Sequence, residues 1–561
     1  MFKENKSHEQ GQMFAEEDRM HPRLREKLSN HWSGMFYERI FCNIDEEIFK
    51  ALYCEHFGRG NFPVNILVSL EIIKEMFALT DEQLFDRYHF DLSIRRALGL
   101  KDINEQILAP RTFYYFRFAV ARYSFENGVD LYMQVFADGR DKYIEELGIK
   151  TGLQRTDSTM IGANIKKMTR LALFHKVLSN LVKDILKSGY SVSTEIQEIV
   201  KDDEDGFTYR LKKEEVLSKT QEVGEHIYSL IKRYEFEDSI RATKGYQDAE
   251  RLLRERCNIS EGKPTLKGGK DIDSSSMQNP SDTDATYRKK RNKEHEGYAA
   301  HATETCDKDN KIQVITDIDL VPNNKDDAKV LADKIENLKK ETGLETVITD
   351  GTFVSPKVRE ECRENKVNLI SSEVRGNYSK YDTDKMLTSR DFDIDATTDE
   401  VKSCPEGQSP TSQKITEKEV VARFSVKVCR ECIRNENCIA YFKSSNQSWI
   451  KIDETRKLLD ERRELTQTEC YRELCNLRPP VEGLMEKLKP KYLNGRTLFR
   501  GLRNVKNRMI LRAIGINFKR YSAYKLDLLA HSLYKFKFLV WKFIFWIFPL
   551  ANRRIHAYIL Q

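Results

Sequence analysis

Three acids in this 561-residue chain stand where a carboxylate could do metal-dependent chemistry: Asp157, Asp350 and Glu482. The stretch 152–161 is short and threonine-rich and predicts a strand that ends at Asp157, while 345–349 predicts another that ends at Asp350-Gly351. An acid just past the C-terminal end of a strand is a recurrent way to present a ligand in an α/β sheet. If the two strands are neighbours, carboxylates 193 positions apart in the chain converge. The third acid sits in Arg478-Pro479-Pro480-Val481-Glu482, with Lys489 seven residues further on. Pro480 suits the first turn of a helix, on which Arg478, Glu482 and Lys489 would fall near one face. A carboxylate flanked by two cations suits a site that holds a phosphate while the glutamate binds metal. Two magnesium (or manganese) ions bridged by such oxygens would activate a water or a DNA hydroxyl for in-line displacement. Magnesium is suited to few carboxylates, several waters and phosphate oxygens. Each residue also admits a plain account: Asp caps helices and turns, and Arg478, Glu482 and Lys489 could form a surface ion-pair ladder.

Other acids have better uses elsewhere. Asp326 and Asp327 follow a Pro-Asn-Asn turn and precede an apolar helical pattern, so they read as helix caps. Asp317 and Asp319 alternate within a strand and rank below Asp350. Of eleven cysteines, Cys404, Cys429, Cys432 and Cys438 are the clustered ones. Four thiolates so spaced could close around one structural zinc, against the alternative of reduced thiols. Twelve basic residues lie in 487–525, and no acid appears between Glu486 and Asp527. A solvated helix face usually mixes signs, so Lys489, Arg496, Arg500, Arg503 and Lys506 are expected to meet phosphates, as is the run Arg288-Lys289-Lys290-Arg291.

The elements that must position these groups follow from periodicity. Residues 1–150 read as helical: Ile66, Leu67, Leu70, Ile73, Met76 and Phe77 recur at helical spacing. Thr80-Asp81-Glu82-Gln83 looks like a capping box, and Pro110 opens another helix. Such helices could form a helix-turn-helix DNA reader or a plain bundle. After the strand at 152–161, 165–256 is helical again and 258–285 reads as a flexible connection. Strands at 298–303 and 311–321, a helix over 325–342, the strand 345–349, a helix near 356–365 and a strand at 367–371 form a mixed α/β alternation. An irregular cysteine-bearing insert follows over 373–465, then helix to about 530. The chain exceeds a single core. No secretory signal opens it, and the apolar run 538–551 is too short for a bilayer, which needs about 20 residues. A reducing, cytoplasmic setting without membrane contact is expected.

Taken together, these blocks resemble the DDE transposases of bacterial insertion sequences, in the branch with Tyr-x2-Arg-x3-Glu-x6-Lys around the last carboxylate. Arg478-x3-Glu482-x6-Lys489 fits that pattern, but Cys475 stands at the tyrosine position, with Tyr471 nearby. Asp157-Ser158-Thr159 with Ala163-Asn164, Gly297-Tyr298-x2-His301, Pro322-Asn323-Asn324-x-Asp326-Asp327 and Asp350-Gly351-Thr352-Phe353 are similar to the other blocks. The run 62–118 is similar to the helical region that precedes the catalytic domain, so the resemblance spans most of 30–525. It implies an RNase H-like mixed-sheet catalytic domain over 151–530, with a helical insert at about 165–285. An all-helical DNA-binding region would precede it over 1–150, and an apolar extension would follow over 531–561. It further implies metal-dependent cleavage at transposon ends and strand transfer into target DNA, with double-stranded DNA and further copies of the chain as partners. A non-catalytic DNA-binding descendant, or a nuclease that cuts without joining, are the alternatives.

Overall fold

The computed structural model describes residues 1–9, 20–54, 58–101, 105–209, 211–260, 262–290, 292–372, 387–395, 397–416, 418–442, 448–491 and 495–547. Arg291 and the end of the apolar run, 548–551, lie outside the described residues.

The N-terminal helices pack around α1 (Val64–Phe77), which is buried almost all round although it carries Glu71, Lys74 and Glu75. The helix ends at Ala78 in the left-handed conformation, and the next begins with the expected capping box: Thr80 accepts from the Gln83 N–H, and the Gln83 side chain accepts from the Thr80 N–H. Pro110 occupies the first turn of α2 (Pro110–Asn127), where a missing N–H costs nothing.

The central sheet has six strands: β1 (Leu153–Gly162), β2 (Thr286–Lys290), β3 (Lys293–Thr305), β4 (Ile315–Pro322), β5 (Thr346–Thr349) and β6 (Asn368–Ser371). Strand β3 lies antiparallel to β1 on one edge and to β2 and β4 on the other, while β5 runs parallel to β1 and β6 parallel to β5. A three-stranded antiparallel meander continued by two parallel strands makes a mixed α/β sheet, consistent with the expected RNase H-like domain. Gly297 marks the point where β3 leaves β2 and crosses the end of β1. Its φ is +145°, and a Cβ there would sit 2.3 Å from the Ile161 carbonyl oxygen, so only glycine fits.

Between β1 and β2 stands a helical insert, α3 (Arg170–Lys187), α4 (Glu215–Arg233) and α5 (Lys244–Arg256), closed around its own apolar core. The connection from it back to the sheet, expected to be flexible, is pinned. A hairpin pairs Cys257–Ser260 with Lys263–Leu266, Met277 enters the insert core, and Asp282 accepts from the Tyr298 hydroxyl at 2.6 Å. Polar composition was misleading because the polar groups bond to one another. The expected helix at 325–342 is two, Asp327–Ala332 and Ile335–Thr342, broken where half-buried Lys334 ion-pairs with Asp317 and Asp319. The cysteine-bearing insert is also more regular than expected. Its strands Ser412–Ile415, Glu419–Phe424, Ser448–Asp453 and Tyr441–Phe442 form an antiparallel sheet over Phe392, Ala422, Phe424 and Ile450, and helix resumes at Glu454.

Further along the chain come α6 (Val481–Leu488) and α7 (Leu502–Ile547). From Val505 to Ser522, α7 is almost wholly buried, wedged between α1 and strand β4. The largest apolar core therefore runs from Phe36 to Phe518 and crosses residue 150 without a break.

Candidate active site

Strand pairing aligns the two aspartates. In the parallel register Leu153 faces Thr346 and Arg155 faces Ile348, and two residues further along Asp157 is level with Asp350. Asp157 is mid-strand and not at a strand end as expected, because β1 continues past β5 to pair with β3 as far as Gly162. It lies where the parallel pairing stops, which leaves its side chain the same opening that a strand end would give. Asp350 caps the single turn Gly351–Phe353 and accepts from the Thr352 N–H at 2.8 Å. Asp157 accepts from the Ser158 N–H at 2.8 Å.

Glu482 arrives in the first turn of α6, which begins at Val481 with Pro480 as its cap. The expected single helical face from 478 to 489 is corrected here. Arg478 lies in the turn before the helix, and Lys489 lies just past its last residue with extended backbone. Eight helical residues are too few to span both cations. Arg478 nonetheless reaches all three acids: 3.0 Å to Asp157, 3.6 Å to Asp350 and 3.7 Å to Glu482. One guanidinium gathers three carboxylates from positions 157, 350 and 482. Lys489 is not among these contacts and pairs with Glu486 at 2.7 Å.

Burial pushes the Asp157 carboxyl up to about 6, and the neighbouring Asp350 charge adds to this, against the Ser158 N–H and the Arg478 charge that oppose it. A proton or a cation is therefore held at Asp157 more readily than at a free aspartate. Glu482 is 71% exposed and forms the open rim. Among the described residues, no three His, Cys, Asp or Glu side chains stand as a ready-made metal cluster. The carboxylates share a guanidinium instead, and their donor chemistry, hard oxygens without sulfur or imidazole, is of the magnesium kind.

The Arg478 turn is held from below by residues that the sequence analysis missed. Arg155, on the same face of β1 as Asp157, donates to the Leu477 carbonyl at 2.5 Å and to fully buried Glu304 at 2.8 Å. Arg520 of α7 meets the other Glu304 oxygen at 2.7 Å, an ionic contact without hydrogen-bond alignment. The available signal was the two-residue spacing of Arg155 and Asp157, which puts both on one face of a strand.

Many of the basic residues in 487–525 have partners within the chain. Lys506 pairs with Asp319 at 2.9 Å, Arg508 with Glu71, Arg512 with Glu75 at 2.6 Å and Arg520 with Glu304. Arg496 and Arg500 donate to the Ile165 and Asn164 carbonyls, and Arg503 lies over the Phe125 ring. The basic imbalance of 487–525 is thus largely answered by acids and carbonyls distant in sequence. Asp326 caps its helix as expected, but Asp327 is buried and pairs with Arg288 at 3.1 Å. His301 points to the sheet face opposite Asp157, and burial lowers its pKa to about 4. Tyr471 donates its hydroxyl to the Ser371 carbonyl at 3.0 Å, and the Cys475 thiol reaches the same oxygen at 3.9 Å. Beside the carboxylates a groove of about 560 Å³ runs along the end of β1, lined by Lys167, Lys290, Lys489 and Arg496 together with Glu294 and Glu296. Cys404, Cys429, Cys432 and Cys438 line one small cavity of about 30 Å³, and burial raises the thiol pKa values of Cys429 and Cys438.

Among the described residues no helix is long and apolar enough to cross a membrane. No curated protein and no solved structure matches the chain. Two family models do. Residues 23–118, which include α1, match the Transposase domain (DUF772), and residues 403–522, which carry the four cysteines, Arg478 and Glu482, match the Transposase DDE domain. Asp157 and Asp350 lie outside both matches and are joined to Glu482 by the sheet and by Arg478. The two transposase domains in this order on a mixed α/β fold support an insertion-sequence DDE transposase.

Proposed function

We propose that the chain is a catalytically competent transposase that cuts DNA at transposon ends and transfers the freed strand into target DNA. The observation that carries this is the convergence of Asp157, Asp350 and Glu482 on the Arg478 guanidinium. Two magnesium or manganese ions suit this donor set, with Asp157 and Asp350 as the sheltered ligands and Glu482 as the exposed one. When bound, such ions activate the attacking oxygen and stabilise the leaving one. The protein's own part is positional. Asp157 exchanges its proton for the cation, Arg478 neutralises the carboxylates and then offers its charge to the scissile phosphate, and Lys290, Lys489 and Arg496 steer the strand along the groove. The N-terminal helices and the remaining cations of 487–525 would contribute further contacts to double-stranded DNA.

A cleavage assay tests the proposal with full-length protein, Mg²⁺ or Mn²⁺ and the terminal DNA of the element that encodes it. Nicked and strand-transferred products are expected, and Asp157→Asn, Asp350→Asn and Glu482→Gln should each abolish both. Bound Mn²⁺, counted by electron paramagnetic resonance, should fall from two per chain in the wild type to one or none in the aspartate variants. Cut but unjoined DNA would identify a nuclease; binding without cleavage, unchanged by Asp157→Asn, would identify a non-catalytic DNA-binding protein.

We further propose that the four cysteines bind one structural zinc. Burial disfavours free thiolates at Cys429 and Cys438, and a zinc ion would supply the missing counter-charge. Elemental analysis should find one zinc per chain, and Cys432→Ser should lose it. Fully folded, zinc-free protein would end the proposal.

A further inference from the structure

Helix α2 is amphipathic in an unusual sense. Its inner face is apolar, with Phe113, Phe116 and Val120 buried, yet its outer face is aromatic as well. Tyr115 is 56% exposed, Phe118 64% and Phe125 77%. At about 3.6 residues per turn, Arg111, Tyr115, Phe118, Arg122 and Phe125 form one outward stripe along a helix about 27 Å long. Large exposed aromatics in a row, interleaved with arginines, have the composition of a protein–protein interface core.

We propose that this stripe is the twofold interface between two copies of the chain, with the α2 helices packed antiparallel. The helix is complementary to itself about a point between Phe118 and Ala119. Reversal there sets Arg111 against Glu126, Tyr115 against Arg122, Phe118 against Ala119 and Phe125 against Thr112. The first pair is an ion pair, the second a cation over a ring, and the third a large side chain against a small one. Within one chain the two arginines contact neighbours on their own helix, Arg111 donating to the Tyr115 hydroxyl at 2.9 Å and Arg122 lying 3.7 Å from Glu126. Arg503 of α7 covers one face of the Phe125 ring, which stays 77% exposed. Duplex DNA fits the stripe less well. Phosphates call for uncommitted cations, whereas both arginines are engaged and Glu126 would repel the backbone.

The inference depends on none of the three catalytic candidates, so a monomeric chain that cuts DNA would sink the interface and leave the site standing. Sedimentation analysis of the full chain without DNA tests it. The wild type should have the mass of two chains. Phe118→Glu and Arg111→Glu should each halve it with circular dichroism unchanged, since both positions are exposed. The double variant Arg111→Glu with Glu126→Arg should recover the dimer. A monomeric wild type, or a dimer indifferent to Phe118→Glu, would overturn the proposal. So would a Phe118→Glu variant that keeps its mass but loses affinity for duplex DNA in fluorescence anisotropy, which would assign the stripe to nucleic acid.

Discussion

Asp157 carries a tension that can be measured. Its carboxyl is raised to about 6 in the folded chain, against about 3.9 when free. A carboxylate raised by folding contributes stability below its free value, and that contribution is lost as pH climbs through the folded value. In metal-free protein the loss should run from about pH 4 to about pH 6 and amount to as much as about 3 kcal/mol. Asp157→Asn removes the titration. In chelator it should melt higher than wild type at pH 7.5, and the gap should close near pH 4; a gap independent of pH would refute this origin. The types of the site residues were legible in the sequence because each acid sits in a short, distinctive block. Their geometry was less so. Asp157 is mid-strand because β1 outruns β5, a length that β1 alone does not encode. Cys475 looked like a gap where a tyrosine was expected, yet Tyr471 and Cys475, one helical turn apart, both reach the Ser371 carbonyl.

The turn at 476–480 joins the helix Glu469–Cys475 to α6 and presents Arg478, and it is only as fixed as its supports. Glu304, with no exposed surface, neutralises Arg155 and Arg520 together, and Arg155 in turn fixes the Leu477 carbonyl. Removing one member of a buried charge cluster leaves the rest uncompensated. Glu304→Ala should therefore cost about 3–5 kcal/mol in urea unfolding. The milder Glu304→Gln keeps the shape; it should lower the cleavage rate with little change in DNA affinity, since the side chain positions Arg478 and lies apart from the groove. Equal losses in rate and affinity would contradict a positioning role. Helices and strands were largely readable from periodicity, whereas partner choice was not. Four cations of the basic stretch after Glu486, Lys506, Arg508, Arg512 and Arg520, pair with Asp319, Glu71, Glu75 and Glu304, partners too far away in sequence to be anticipated.

Across the whole molecule, the first and last parts of the chain share one interior. Helix α7 approaches α1 so closely that a Cβ on Gly515 would stand 3.0 Å from the Met76 Cβ and 3.3 Å from its Cα. Gly515→Leu should wedge the helices apart and destabilise the fold by about 1–3 kcal/mol, read as a lower denaturant midpoint. The insert α3–α5, with its separate core, should keep its own hydrogen-exchange protection in that variant. The burial of α1 also sets a timetable for synthesis. Glu71 and Glu75 leave the ribosome 437 residues ahead of Arg508 and Arg512. At about 5–20 residues per second, α1 waits roughly 20–90 s for the helix that neutralises it. Glu482 also emerges late, shortly before α7, so a nascent chain holds neither the third candidate acid nor a closed interior until α7 is made. Any competence to cut DNA that depends on Glu482 is thereby withheld from products that end before residue 482.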